Sequence, residues 1–309
     1  MQQNSEKSME EKGNMDNVEI FHLANIRLPM EKNRLLLIFV GINLFFTGID
    51  VALAHSINYF IPVYEWIPIF YFPVGAISCF IISFEPSPRK WAALVHIALM
   101  SAGILVGVLG TAFHLNAILN PLGSLTWSWV VFGSPVLAPL AFAGISLLGL
   151  YAITEEVEGK EGILRVPGLG TFHAPISRNR HFLWLVGLGF AASALTSIID
   201  HAQYGYSPYK MIAIVFGLFA TSVVITIALS KQWTKRDEFV YFWTMIAAIV
   251  VGVMGFGFHL SADLAGTGQL SLERMLVFAP VFAPLLYGDL GMLGLLVVAE
   301  KNKQLTMNN

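Results

Sequence analysis

Long apolar stretches recur along this chain, and they constrain its fold more than any other feature. Windows of 18 or more residues with almost no charge occur eight times. Each is long enough to cross the ~30 Å hydrocarbon core of a bilayer as a helix. They are too long and too uniformly apolar for the strands of a transmembrane barrel. The predicted spans are 34–60, 67–84, 91–115, 125–153, 182–204, 209–229, 239–260 and 275–299.

The composition excludes most soluble classes of protein. Of the 309 residues, 56% are hydrophobic and 12% are charged, whereas soluble domains are about 25% charged. A net charge of −2 gives no basis for a nucleic-acid partner. The single cysteine, Cys79, excludes a disulfide within the chain. We therefore expect an all-α integral membrane protein whose first partner is the lipid bilayer.

The distribution of cations predicts the orientation. Sixteen of the 18 Lys and Arg lie in the two tails and in the second, fourth and sixth connectors. The positive-inside rule then predicts a multi-pass protein of the cytoplasmic (inner) membrane with both termini in the cytoplasm. The expected units are a cytoplasmic N-terminal tail, a first four-helix repeat, a cytoplasmic linker, a second four-helix repeat and a C-terminal tail. Their expected bounds are 1–33, 34–154, 155–181, 182–300 and 301–309.

The two halves of the chain repeat each other. The pattern Gly-Val-x-Gly-x-x-Phe-His-Leu occurs at 107–115 and again at 252–260, an offset of 145 residues. The pattern Pro-Val-x-Ala-Pro-Leu, at 135–140, recurs at 280–285 with the same offset. Because each half has an even number of predicted spans, the repeats are parallel and related by an axis along the membrane normal. The predicted fold is eight transmembrane helices in two parallel-repeat four-helix bundles.

Four histidines lie inside predicted spans, where a polar ring needs a partner. They are His55, His114, His201 and His259, each 21 to 24 residues from the last cytoplasmic cation of its helix. All four therefore share a layer roughly 32–36 Å from the inner boundary. The first and third helices of a four-helix bundle are diagonal, which predicts that His55 faces His114 and His201 faces His259. Such pairs are typical of bis-histidine ligation of a b-type haem, one in each half.

Small residues precede these histidines at helical spacing. Gly48, Gly107 and Gly252 lie seven residues before a histidine, and Gly110 and Gly255 lie four residues before one. Residues at these spacings share a helix face. The sequence therefore predicts a groove of cofactor-binding glycines that could accept a flat macrocycle. The same spacing also lets membrane helices pack closely with no cofactor present, so both interpretations stay open.

These patterns predict a membrane b-type cytochrome with two haems near the outer face, engaged in electron transfer or redox chemistry. Its expected redox partner is a quinol or an extracytoplasmic protein. One alternative is a copper or zinc protein in which the four histidines bind one shared ion. Another is a proton-coupled transporter that uses Asp50 and Asp289 as buried carboxylates. His96, five turns inward from His114, is a weaker candidate for an inner haem ligand.

Overall fold

The computed structural model describes residues 28–85, 88–119, 123–230, 232–269, 271 and 274–299. Most of the N-terminal tail predicted at 1–33, and all of the C-terminal tail predicted at 301–309, lie outside the described residues. The described chain is predominantly α-helical, as expected for an all-α membrane protein.

Helices of very different length make up the two halves. The first half contains α1 Lys32–Ser56, a 3-10 turn Val63–Glu65, α2 Trp66–Phe84, α3 Lys90–Leu119, α4 Trp127–Phe132 and α5 Leu140–Ala152. The second contains α6 Arg178–Ala202, α7 Pro208–Leu229, α8 Lys235–Thr267, a π-helical turn Arg274–Phe278 and α9 Leu285–Val298. Local signals explain some of these bounds. Thr234 and Asp237 form a capping box that begins α8, and Gly268 ends it in the left-handed conformation.

A small antiparallel sheet occupies the connector between the halves. Its strands are β1 Glu155–Glu156, β2 Ile163–Val166 and β3 Gly170–His173, in the order β1-β2-β3. Glu155 pairs with Arg165 in the backbone register, and their side chains form an ion pair of 2.7 Å. The segment predicted as a linker therefore contains a short three-stranded sheet.

Six of the described helices, α1, α2, α3, α6, α7 and α8, are long and apolar enough to cross a membrane. Large apolar side chains on them are exposed: Phe46, Phe70 and Val253 are 64%, 70% and 59% exposed. An apolar surface of this extent is stable against lipid but not against water. The chain is a multi-pass membrane protein.

The fourth and eighth predicted spans differ from the other six because each is interrupted. Residues 133–139 separate α4 from α5, and only the 13 residues of α5 form a longer helix there. In the second half, the π-helical turn precedes the 14 residues of α9. Proline lacks an N–H and its ring clashes with the preceding helical turn. The prolines of the repeated Pro-Val-x-Ala-Pro pattern therefore prevent one continuous helix in either segment.

The helices of the two halves contact one another in the same pattern. In the first half, α2 and α5 each contact both α1 and α3, and in the second half α7 and α9 each contact both α6 and α8. Between the halves, α6 contacts α4 and α5, while α1 contacts α9 and the π-helical turn. The apolar core is continuous through these contacts and includes Leu36, Val40, Phe182 and Phe190, all fully buried.

A buried arginine joins the two halves at the N-terminal ends of α1 and α6. The Arg178 guanidinium donates hydrogen bonds to the Tyr151 carbonyl (3.2 Å) and to Asn33 Oδ1 (2.6 Å). It also lies over the Phe182 ring, 4.8 Å from the ring centre. Because only 3% of Arg178 is exposed, these contacts replace water around its charge.

Candidate functional site

The structure places the four histidines in two pairs. The ring centres of His55 and His114 are 6.1 Å apart, and those of His201 and His259 are 6.3 Å apart. His55 and His201 lie in the last turns of α1 and α6. Their partners lie in the C-terminal parts of α3 and α8. In each half, the long helices that carry the pair share the same two neighbours.

A proline carbonyl orients one histidine of each pair. His114 Nδ1 lies 2.9 Å from the Pro135 carbonyl oxygen, and His259 Nδ1 lies 2.8 Å from the Pro280 oxygen. In a regular helix, each carbonyl would accept from the N–H four residues later. Those residues are Pro139 and Pro284, which have no N–H. Each carbonyl instead accepts from the N–H three residues later, that of Ala138 or Ala283, at 3.2 Å. The second lone pair of the carbonyl oxygen is then available for the imidazole.

These two hydrogen bonds determine the tautomers of His114 and His259. A carbonyl oxygen only accepts, so Nδ1 carries the proton and donates. The Nε2 lone pair of each neutral ring then stays available as a ligand. Metal-binding histidines commonly donate their other N–H to a carbonyl or carboxylate in this way. Sequence analysis identified the prolines as part of the repeat but missed this role of their carbonyls.

The other histidine of each pair has different surroundings in the two halves. His55 Nδ1 lies 3.3 Å from Oε1 of Glu65, which belongs to the 3-10 turn and is 9% exposed. The Nδ1 atom of His201 is buried and has no hydrogen-bond partner among the described residues. At the repeat offset of 146 residues, Glu65 corresponds to Met211, so the second half has no equivalent carboxylate.

Glu65 is a residue that sequence reasoning missed. It is the sole acidic residue of the connector between α1 and α2, 57–65. That isolation in an apolar segment was the available signal. Its Oε2 atom is buried and has no hydrogen-bond partner in the described segments. An unsatisfied buried oxygen costs about 1–3 kcal/mol. The other carboxylate oxygen, Oε1, makes the contact with the His55 imidazole.

The five glycines predicted to bind a cofactor contact protein atoms. A Cβ at Gly107 would lie 2.6 Å from the backbone nitrogen of Ala143, and one at Gly252 would lie 2.7 Å from that of Gly288. Gly110 and Gly255 would meet Pro139 and Pro284 at 2.8 and 2.6 Å.

A Cβ added at Gly48 would overlap the Phe72 ring. The structure has no open groove at the five glycines, and each lies where a neighbouring helix packs closely. Their assignment as cofactor-binding residues stays a prediction.

The histidine separation suits one ion between two imidazoles. Two bonds of ~2.0–2.1 Å, with half a ring width on each side, span roughly 6 Å between ring centres. Within the described segments, no three His, Cys, Asp or Glu side chains form a group that could hold a metal. The structure therefore gives no support to one shared four-histidine ion, nor to zinc, which takes at least three protein ligands.

His96 forms hydrogen bonds that join neighbouring helices, as expected of a structural residue. Its Nδ1 accepts from the Ser78 hydroxyl at 2.9 Å, and its Nε2 lies 3.3 Å from the Gly149 carbonyl. Both ring nitrogens are thus engaged, and the side chain is fully buried. Tyr241 occupies the repeat-equivalent position and donates to the equivalent carbonyl, that of Gly294, at 2.9 Å. Each of these two side chains therefore contacts the equivalent carbonyl of a neighbouring helix in its own half.

The two carboxylates predicted to carry protons, Asp50 and Asp289, lie on helices of different halves. Asp50 is exposed on α1, contrary to its expected burial, and Asp289 is half-buried on α9. Asp200 lines a cavity of about 30 Å³ at the contact between the halves, which has room for about one water molecule. Asp263 is fully buried, and within the part of the chain that the structure describes neither of its carboxylate oxygens has a hydrogen-bond partner.

Comparison with known proteins gives no assignment: no protein family, curated protein or solved structure matches the chain.

Proposed function

We propose that this chain is a redox protein of the cytoplasmic membrane that holds one bis-histidine metal centre in each half, near the outer face. His55 and His114 would bind the first centre, and His201 and His259 the second. One observation carries the proposal: the same imidazole pair occurs twice, each with one Nδ1 held by the carbonyl of a Pro-x-x-x-Pro turn. Metal binding explains why both halves present a free Nε2 at this depth.

The proposed architecture is a doubled four-helix unit with eight crossings. Six crossings are the long helices, and the other two are the interrupted segments that end in α5 and α9. Alone, the 13 residues of α5 extend only ~20 Å, so α4 and residues 133–139 complete that crossing. The cation distribution supports cytoplasmic termini and therefore places the histidine pairs toward the outer side.

Two occupants need only a pair of imidazoles from the protein. A b-type haem supplies its other four ligands itself, and the sequence favours it. A single copper ion accepts imidazole nitrogens and needs no slot for a macrocycle. Packing favours copper, because the backbones beside Gly107 and Gly252 fill the space that a macrocycle would take. Either occupant would change its oxidation state by one electron, and the imidazoles would hold it at a fixed depth.

Metal and haem content of the purified full-length chain tests the proposal. We expect two copper ions, or two haems with sharp visible absorption bands, per chain. His181→Ala is a matched control, because this histidine lies at the opposite end of α6 and its Nδ1 contacts the Ser177 carbonyl. Its metal content should equal that of the wild type. Absence of both copper and haem after expression with each supplied would reject the proposal and favour the transporter alternative.

A further inference from the structure

We propose that the two centres have different reduction potentials, with the lower potential in the first half. Glu65 is the positioning residue that lowers it. This inference rests on the proposed function. It concerns the difference between the halves, which the repeat alone does not predict.

In the first half, the outer layer around the histidines carries one negative charge. Glu65 Oε1 lies 3.3 Å from His55 Nδ1, and both side chains are largely buried. The carboxylate is also close enough to act on His114 by its charge. The outer connectors of this half, 57–65 and 116–126, contain no Lys or Arg to offset it. Both imidazoles of the first pair are therefore in a negative field.

In the second half, positive charges oppose the negative ones. Lys210 acts by its charge on both His201 and His259. The buried carboxylate of Asp263 acts on His259, and the Arg274 guanidinium acts on Asp263. Arg274 also donates to the Asp263 and Ala262 carbonyls at 3.1 Å each. At His259 the effect of Asp263 exceeds that of Lys210, whereas Lys210 is the cation that acts on His201. Among the described residues, no carboxylate lies against the Nδ1 of His201 as Glu65 does against that of His55.

These differences change the metal through its ligands. A carboxylate against Nδ1–H draws the proton toward itself and makes Nε2 a stronger donor, which stabilises the more positive oxidation state. A nearby negative charge acts in the same direction, and a cation acts in the opposite one. The centre at His55 and His114 should therefore be oxidised first. When the chain holds one electron, the centre at His201 and His259 should be the reduced one. The two sites form an ordered pair rather than two copies.

Redox titration of the metal-loaded chain tests this order. The wild type should show two midpoint potentials, and the lower one should disappear in His114→Ala, which removes a ligand of the first centre. In Glu65→Gln the lower potential should rise toward the higher one. Glu85→Gln removes a charge at the other end of α2, and it should leave both potentials unchanged.

A second variant keeps the inference testable if Glu65→Gln does not fold. Lys210→Gln should move only the higher potential, and should lower it. A single shared potential in the wild type, or unchanged potentials in both Glu65→Gln and Lys210→Gln, would overturn the inference while leaving two metal centres in place. A chain that binds no metal would instead reject the proposed function, so the two failures are distinguishable.

Discussion

Replacing Gly107 with alanine should separate α3 from α5. The added Cβ would lie 2.6 Å from the Ala143 nitrogen, 2.8 Å from the Ala143 Cβ and 2.8 Å from the Pro139 oxygen. Two of these three atoms belong to the backbone, so no side-chain rotation can relieve the overlap. The helices must move apart, or α5 must shift along α3.

The expected cost combines two effects. Forcing an extra methyl group into a packed interface costs about 1–3 kcal/mol. Alanine offsets part of this, because it is more favourable than glycine within a helix by about 0.5–1 kcal/mol. The two ranges give a net loss in the free energy of unfolding of about 0–2.5 kcal/mol, and a loss of about 1–3 kcal/mol relative to a glycine-to-alanine change that meets no neighbour. Gly252→Ala should behave alike, since its Cβ would meet the Gly288 nitrogen at 2.7 Å.

Reversible unfolding in mixed micelles measures this loss. Gly144→Ala and Gly257→Ala are the matched controls, because a Cβ at either glycine meets nothing within 4 Å. They should retain or slightly raise the stability of the wild type. If Gly107→Ala is as stable as Gly144→Ala, α3 and α5 do not pack as described. If the folded Gly107→Ala protein instead loses its metal, the glycine lines a cofactor slot and the packing interpretation is wrong.

Three further results are expected. Reporter fusions and cysteine labelling should place the 155–181 connector in the cytoplasm, and labelling from outside would contradict the proposed orientation. His96→Leu should lower stability by about 2 kcal/mol, because Ser78 and Gly149 lose a buried partner; metal content should stay unchanged, and a lost metal would make His96 a ligand. Arg178→Ala should lower the free energy of unfolding by about 3 kcal/mol, because it removes buried hydrogen bonds. Arg165→Ala, at a largely exposed ion pair, should lower it by less than about 1 kcal/mol. Equal losses in the two variants would refute the role of Arg178.

Uniform hydrophobicity made the membrane helices predictable but hid their orientation. The apolar windows predicted six spans that the structure contains as long helices. A helix that is apolar on every side gives no indication of which face meets a neighbour. The sequence therefore did not show which helix lies against Gly107. Its contact with α5 is seen only in the packed structure.

The interrupted spans were predictable in principle. Pro135 and Pro139 stand four residues apart, and each removes the N–H that a helix would need at that position. The Val131 carbonyl, left free by Pro135, accepts from Gln203 of the second half at 2.8 Å. The pattern was used only as evidence of a repeat, so its effect on the backbone went unpredicted.

The contact between Glu65 and His55 depends on a left-handed turn that follows α1. Tyr59 and Phe60 adopt positive φ values of 58° and 51°, which bulky residues rarely do. The Phe60 N–H donates to the His55 carbonyl at 3.3 Å, and the chain then enters the 3-10 turn that carries Glu65. Asn58 precedes the two left-handed residues, and at the repeat offset of 146 Tyr59 corresponds to Gly205, which has φ 74°. The glycine of the second half was therefore the available signal for a left-handed turn in the first.

Counting bound metal and haem across histidine variants tests the central claim of two centres, one in each half. His55→Ala and His114→Ala should each lose one equivalent, and the double variant should lose no more than that, because both ligands serve one centre. His55→Ala combined with His201→Ala should lose both equivalents. A wild-type chain with one ion, lost equally in all four single variants, would contradict the account and indicate a single shared site.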